Sequence, residues 1–204
     1  MRHIGRANVR KWLEPLEGTA GRTVYADGAV EVVSDTGVVR HVFRPSFGLA
    51  QTGTYETVYV QPLLDEIARD HVVSVLLVRL GGYAVGVYEG EQLVRSKVGS
   101  RFVKNRNKKG GSSSNRFRRR RVEQANALIG EAAEVAAAVL TPTPFSALGG
   151  DRRAIEAVLA ERRDLTWLGE RAIPHFLTVP DPRQRTLDEL PYDLYAVAVE
   201  ELAS

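Results

Sequence analysis

Residues 72–98 read VVSVLLVRLGGYAVGVYEGEQLVRSKV, and the fold turns on how this stretch is read. Three strand-like runs, 72–80, 83–88 and 92–98, are separated by Gly81-Gly82 and by Glu89-Gly90-Glu91. Glycine-bearing breaks of this length between β-branched and aromatic runs are hairpin signals, so the three strands form an antiparallel meander. The first run is almost continuously apolar, the pattern of a central strand covered on both faces rather than of an edge. From Val72 to Val78 it is also far too short to span a bilayer.

Immediately downstream the composition changes. Residues 101–121 read RFVKNRNKKGGSSSNRFRRRR and hold ten of the 28 lysines and arginines of the chain, without one acid. Outside this segment the 25 acids outnumber the remaining bases, so the net charge of +3 comes from here alone. A charge density of this kind calls for a polyanionic counter-ion, and a nucleic-acid backbone is the obvious one. After Asn115 the chain reads as one long amphipathic helix. Val122, Ala125, Ile129, Ala132, Ala136 and Val139 recur at helical spacing, Glu123, Glu131 and Glu134 fall on other faces, and Thr141-Pro142 ends it. Ser113, Ser114 or Asn115 would serve as N-cap. Arg116, Arg118, Arg119, Arg120 and Arg121 then crowd the helix N-terminus, where the macrodipole makes each cation unfavourable by roughly 0.3–1 kcal/mol and like charges three or four residues apart repel. Stability alone would not select this arrangement, which points to a binding role.

Outward from this centre the remaining elements follow an α/β order. Residues 6–17 suit a short helix with Trp12 and Leu13 on its apolar side, and 22–26, 29–33 and 38–43 form a first meander turning at Asp27-Gly28 and Asp35-Thr36-Gly37. A polar loop is expected over 46–57 and a helix over 60–69. Beyond the long helix come a short strand at 145–148, a helix over 151–161 capped by Asp151, a strand at 175–179, and a helix from Arg183. The run 192–199 fits either a strand or a helix. The expected fold class is α/β, a mixed sheet with helices on both faces, in which the basic loop leaves one strand end and the long helix returns across the sheet.

The 204 residues suffice for one domain with a full core, and 44% apolar with 26% charged residues is ordinary for a soluble globular protein. No signal-peptide pattern opens the chain, and there is no cysteine for disulfide or thiolate chemistry; both agree with a cytoplasmic location. His3, His41, His71 and His175 lack metal-ligand spacing, so no metal and no cofactor is expected. Gly110-Gly111 lacks the Lys-Ser/Thr pair of a P-loop, Ser112–Ser114 have no histidine nearby in sequence, and the carboxylates form no paired cluster. No self-contained active site of a conventional type is visible.

Several of these stretches occur together in a known order. Val75-Leu76-Leu77-Val78-Arg79, Gly82-Tyr83-Ala84-Val85-Gly86-Val87-Tyr88 and Ser96-Lys97-Val98-Gly99-Ser100-Arg101-Phe102-Val103-Lys104, then Gly110-Gly111 and Arg116-Phe117 through Arg121, resemble the actinobacterial VLRF-type release factors. Those are bacterial relatives of the Vms and ANKZF-type peptidyl-tRNA hydrolases. The resemblance continues more weakly through Gly149-Gly150-Asp151-Arg152 and Val179-Pro180-Asp181-Pro182-Arg183. It implies the RNase H-like middle-domain fold shared with class-one release factors. It also implies a single domain over 1–204, with an N-terminal helix and meander over 1–45 and an α/β core over 46–204.

In that family a glycine-rich loop carrying a Gly-x-x-Gln or Gly-Gly-Gln motif enters the peptidyl-transferase centre. There it positions water against the ester of peptidyl-tRNA, a task that needs little acid–base chemistry from the protein. Carried onto this chain, the catalytic candidates are Gly110, Gly111, Ser114 and Asn115. The RNA contacts are Arg101, Lys104, Arg106, Lys108, Lys109, Arg116, Arg118, Arg119, Arg120 and Arg121. The implied partners are the ribosomal large subunit, peptidyl-tRNA and RNA phosphates, with no membrane. Counting from Gly111, Ser114 stands where the family has glutamine, and Asn115 beside it is the only amide at the tip. Two readings remain open: a release or rescue factor that hydrolyses peptidyl-tRNA, and a ribosome- or RNA-binding quality-control protein that has lost hydrolysis, as other glutamine-less relatives of class-one release factors have. A general nucleic-acid binder fits less well, because only Phe102 and Phe117 accompany the charges for base stacking.

Overall fold

The computed structural model describes residues 2–35, 39–101 and 114–203. In chain order, β1 (Arg2–Gly5), α1 (Arg6–Leu13) and a 3-10 turn (Glu14–Leu16) lead into β2 (Gly21–Ala26), β3 (Ala29–Ser34), β4 (Val39–Pro45), β5 (Gly53–Tyr55) and α2 (Gln61–Ala68). Next come β6 (Val72–Arg79), β7 (Gly82–Glu89), β8 (Gln92–Ser100), α3 (Ser114–Val139), β9 (Phe145–Gly150) and α4 (Arg152–Glu161). A second 3-10 turn (Arg163–Leu165), α5 (Trp167–Glu170), α6 (Gln184–Glu189), α7 (Pro191–Leu194) and β10 (Ala196–Ala203) follow. These elements separate into two compact units, Met1–Asp70 with Leu190–Ser204, and His71–Glu189.

The first unit is a six-stranded antiparallel sheet in the order β1-β10-β4-β3-β2-β5. Asp27 and Gly28 take φ of 52° and 71°, the consecutive left-handed pair that closes a two-residue hairpin with the natural strand twist. One sheet face carries Tyr25, Val30, Val32, Phe43, Val197 and Val199 against Val9 and Leu13 of α1 and Leu63, Leu64 and Ile67 of α2. Two expectations change here. Residues 46–57 are not wholly loop, because Gly53–Tyr55 adds an edge strand to β2, with Thr54 and Tyr55 supplying side chains suited to a sheet. The ambiguous run at 192–199 divides: Pro191 opens a helical turn, and from Ala196 the chain enters the sheet between β1 and β4.

The second unit holds the mixed sheet with helices on both faces. Its order is β8-β7-β6-β9, with β6 parallel to β9 and the other pairs antiparallel. As the apolar run implied, β6 is central, and Val73 through Val78 are buried. A meander joined through its first strand to a parallel fourth makes this the mixed sheet expected above. One face presents Leu76, Val78, Tyr83, Val85 and Val87 to α3 and α4. On the other face, Tyr88 donates its hydroxyl to the carbonyl of Leu187 on α6 at 2.7 Å, and burial raises the pKa of that hydroxyl. Asp151 caps α4 as expected, accepting from the backbone N–H groups of Arg153 and Ala154.

The expected strand at 175–179 is absent. Leu177 makes only an isolated parallel bridge to Gly149, donating to Leu148 while its own carbonyl accepts from Gly150. Pro174 and Pro180 bracket the segment, and neither has an N–H to extend the ladder. The long helix starts at Ser114, yet its apolar stripe differs from the expected one. Val122 is 53% exposed, whereas Leu128, Ala132, Ala133, Ala136 and Leu140 are buried against the sheet and α4. Packing against neighbours, rather than periodicity, selects the stripe, and the sheet lies only under the C-terminal half of α3. Leu128→Ala should therefore destabilise the protein by about 2–5 kcal/mol, and Val122→Ala should change stability by no more than about 0.5 kcal/mol. Urea denaturation monitored by circular dichroism separates the two; equal effects would contradict this packing.

Candidate nucleic-acid interface

Because β7 is antiparallel to both β6 and β8, and β9 is parallel to β6, the carboxyl ends of β6, β8 and β9 share one edge of the sheet. The basic segment departs from this edge at Arg101, directly after β8. It rejoins the described structure at the N-terminus of α3, whose first turn contains no acidic residue. Arg119 and Arg120 are exposed and Arg121 is half-buried. Ser114, Asn115, Arg116 and Arg118 belong to the first turns of the helix by their backbone, and their side chains are not among those described. Gly110, Gly111, Lys104, Arg106, Lys108 and Lys109 lie outside the described residues. At 1.5 Å of rise per residue, Arg116 through Arg121 lie about 18 to about 10 Å along the helix from Leu128, the first buried side chain among those described in α3.

The arginine at the root of the segment has specific partners. Arg101 donates from Nε and Nη2 to Glu131 Oε2 on α3, at 3.2 and 3.0 Å. Its backbone N–H bonds the Gly81 carbonyl at 3.0 Å. The second oxygen of Glu131 accepts the Tyr83 hydroxyl at 3.0 Å. This last bond depends on Gly99, which pairs across the sheet with Tyr83: a Cβ at Gly99 would collide with Cζ and Oη of that ring. With hydrogen there instead, the ring lies over β8 and its hydroxyl reaches α3. Further along, Arg95 of β8 donates to the Val139 carbonyl at 3.1 Å, satisfying a backbone acceptor at the end of the helix. Strand β8 and helix α3, the two elements bounding the basic segment, are thus joined at two points.

Of the expected RNA contacts, Arg101 is therefore half of an ion pair, and it orients the base of the segment whatever else it touches. Sequence reasoning misses Glu131 and Tyr83. Helical spacing puts Glu131 on a face away from the packing, though it borders Ala132 in the buried stripe. Tyr83, following Gly81-Gly82, is recognisable as strand but not as a hydrogen-bond donor to a helix 48 residues away. Both Arg101 and Glu131 are partly solvent-exposed, so the pair contributes at most about 1 kcal/mol and acts mainly on geometry.

On the opposite side of β8, Arg79, Leu80 and Gly81, then Val98 through Arg101, face Pro180 through Gln184 across an open cleft of about 840 Å³. Arg79 Nη1 donates to the carbonyls of Val179 and Pro180, at 2.8 and 3.0 Å, and Thr186 Oγ1 donates to the Asp181 carbonyl at 2.6 Å. These bonds hold the far wall. No helix among the described residues is long and apolar enough to cross a membrane.

Burial, followed by the bond and charge of Glu131, pushes the Tyr83 hydroxyl from its ordinary value near 10 up to about 12. The folded state thus keeps a proton that the unfolded state releases, so this contribution to stability is full below pH 10 and is lost as pH rises towards 12. Glu131→Gln should lower the Tyr83 value, leaving the part due to burial. Ultraviolet difference titration against a Tyr83→Phe control reads this directly, and an unchanged curve would rule out the interaction.

The family model of the Actinobacteria/chloroflexi VLRF1 release factors matches residues 71–200. No curated protein matches the chain. Among solved structures, the archaeal translation termination factor aRF1 is similar at 14% identity and a TM-score of 0.46, over 82% of this chain and 49% of that one. The Pelota protein of Archaeoglobus fulgidus is similar at 10% identity and a TM-score of 0.33, over 92% and 59%. This chain spans about half the length of the aRF1 structure. The family match covers all of the mixed-sheet unit, the departure point of the basic segment, and the arginine-bearing helix. The chain belongs to the Actinobacteria/chloroflexi VLRF1 release factor family.

Proposed function

We propose that the protein is a ribosome-associated release or rescue factor in which the basic segment docks on RNA and its Gly110-Gly111 tip positions water against the ester of peptidyl-tRNA. The observation that carries this reading is the placement of the arginines. They occupy the end of a helix where the dipole opposes them, about 10–18 Å before its first buried side chain, and Arg119 and Arg120 face solvent. A phosphate backbone relieves both the mutual repulsion and the unfavourable dipole, and family membership directs the search for that backbone to the ribosome. The Arg101–Glu131 bond ties the end of β8 to α3, the two elements between which the segment lies, and positioning is what ester hydrolysis by bound water depends on.

One feature of the sequence favours a second reading. Ser114 stands at the family's glutamine position, and neither serine nor asparagine reaches as far as glutamine. A misplacement of about an ångström lowers rate on the order of 100-fold. The alternative is thus a ribosome- or RNA-binding quality-control protein that retains docking and lacks hydrolysis.

Replacing Arg118, Arg119 and Arg120 with alanine should weaken co-sedimentation with ribosomes and reduce its salt dependence, by about 0.7–0.9 in logarithmic slope for each phosphate that the protein no longer neutralises. The fold should survive, since these cations oppose the dipole of their own helix. Unchanged co-sedimentation across the salt series would sink the docking role. Peptide release from ribosomes carrying labelled peptidyl-tRNA then separates the two readings. Weak native release that rises in Ser114→Gln and falls in Asn115→Ala supports side-chain positioning of water. If native protein and Ser114→Gln both bind ribosomes and neither releases peptide, the binding reading holds.

A further inference from the structure

The cleft beside the root of the basic segment is not needed for docking by the arginines or for ester hydrolysis at the loop tip, and its chemistry is distinct. We infer that it binds a nucleoside monophosphate unit, supplied either by a single-stranded RNA or by a free mononucleotide. The cleft lies beside the β6–β7 turn and the carboxyl end of β8, with Pro180–Gln184 as its facing wall. Its volume, about 840 Å³, falls in the range of small-molecule sites and admits a nucleotide.

The lining supplies both parts of such a ligand. For the phosphate there are Arg79, whose guanidinium has no carboxylate partner among its hydrogen bonds, and the exposed Arg183, which contacts Asp181 at 2.5 Å; the guanidinium of Arg101 is held by Glu131. Arg79 is bonded to the carbonyls of Val179 and Pro180, which orient it without cancelling its charge. Ser100 adds a neutral hydrogen-bonding group, and Gln184 on the facing wall is held by Ser96 and Asp188. For the base there are apolar surfaces: Leu80, 53% exposed, together with the exposed Pro180 and the half-buried Val98. Arginine planes and apolar faces of this kind are what unstacked bases pack against. At the turn, Gly81 has φ of 109°, which an L side chain rarely adopts, and a Cβ built there meets nothing within 4 Å. The space over this backbone is open, and glycine keeps it so, allowing close approach by a ligand.

Because the cleft residues other than Arg101 lie outside the basic segment, the inference is independent of peptide release and is tested without ribosomes. The native chain is titrated with adenosine 5′-monophosphate, a single-stranded RNA trinucleotide and inorganic phosphate, while amide resonances are followed by nuclear magnetic resonance. Saturable shifts of Gly81, Gly82 and Ser100 with either nucleotide, and much smaller ones with phosphate at equal concentration, are the expected result. Tighter binding of the trinucleotide identifies the source as a strand, whereas equal affinities identify it as a mononucleotide. Arg183→Glu and Ser100→Trp change exposed positions and leave the core intact. Each should weaken binding about tenfold or more, Arg183→Glu by losing one charge-assisted bond and Ser100→Trp by filling the cleft, with an unchanged melting temperature. Replacing Arg118, Arg119 and Arg120 with alanine should leave the shifts at Gly81 and Gly82 in place. Shifts that vanish with those arginines, shifts equally strong with phosphate, or affinity indifferent to Arg183→Glu and Ser100→Trp would overturn the assignment.

Discussion

Glu131 organises the end of the sheet from which the basic segment leaves. Its two carboxylate oxygens receive the Tyr83 hydroxyl from the centre of the sheet and the Arg101 guanidinium from the end of β8. One side chain thereby ties the strand that leads into the basic segment to the helix that follows it. The arrangement requires Gly99, since only a residue without Cβ lets the Tyr83 ring lie across β8. The bonds are individually modest, and their value is directional: they set where a highly charged segment leaves a mixed sheet and how its returning helix is held.

The helix divides its work along its length. From Leu128 onward it buries leucine and alanine against Leu76, Val85 and α4, and the small alanines permit close approach to the sheet. Before Leu128 its described side chains are largely exposed, and there the arginines gather. The local electrostatics of that end are unfavourable, with like charges crowding a positive dipole. The packed half anchors what the charged half cannot stabilise for itself. Such a conflict between local preference and global fold is what the proposed docking role would account for, and membership in a release-factor family supplies its context.

The legible parts of the fold are those governed by short-range rules. Asp27-Gly28, Gly81-Gly82 and Glu89-Gly90-Glu91 mark hairpins because turn geometry is decided by a few residues, and the strands they join are where these signals place them. The centrality of β6 followed from its unbroken apolar run. The misreadings share a different cause. Residues 175–179 have strand-like composition, yet Pro174 and Pro180 leave them a single bridge. Val122 has the right spacing for an apolar stripe, but no sheet lies under that turn of α3.

By itself the sequence determined the hairpins, the long helix with its N-terminal arginines, the concentration of positive charge in 101–121, and, through its motifs, the family. Each rests on local backbone preference or on composition, quantities that neighbouring residues settle among themselves. Only the tertiary structure decided that the strands divide into two sheets, that β10 pairs with β4 across more than 150 residues of chain, and that Glu131 clasps Arg101 and Tyr83. The cleft between the end of β8 and Pro180–Gln184 belongs with these. Such features depend on which surfaces meet when distant segments pack. Burial and hydrogen-bond satisfaction are settled where those surfaces meet, and no short window of sequence contains both partners.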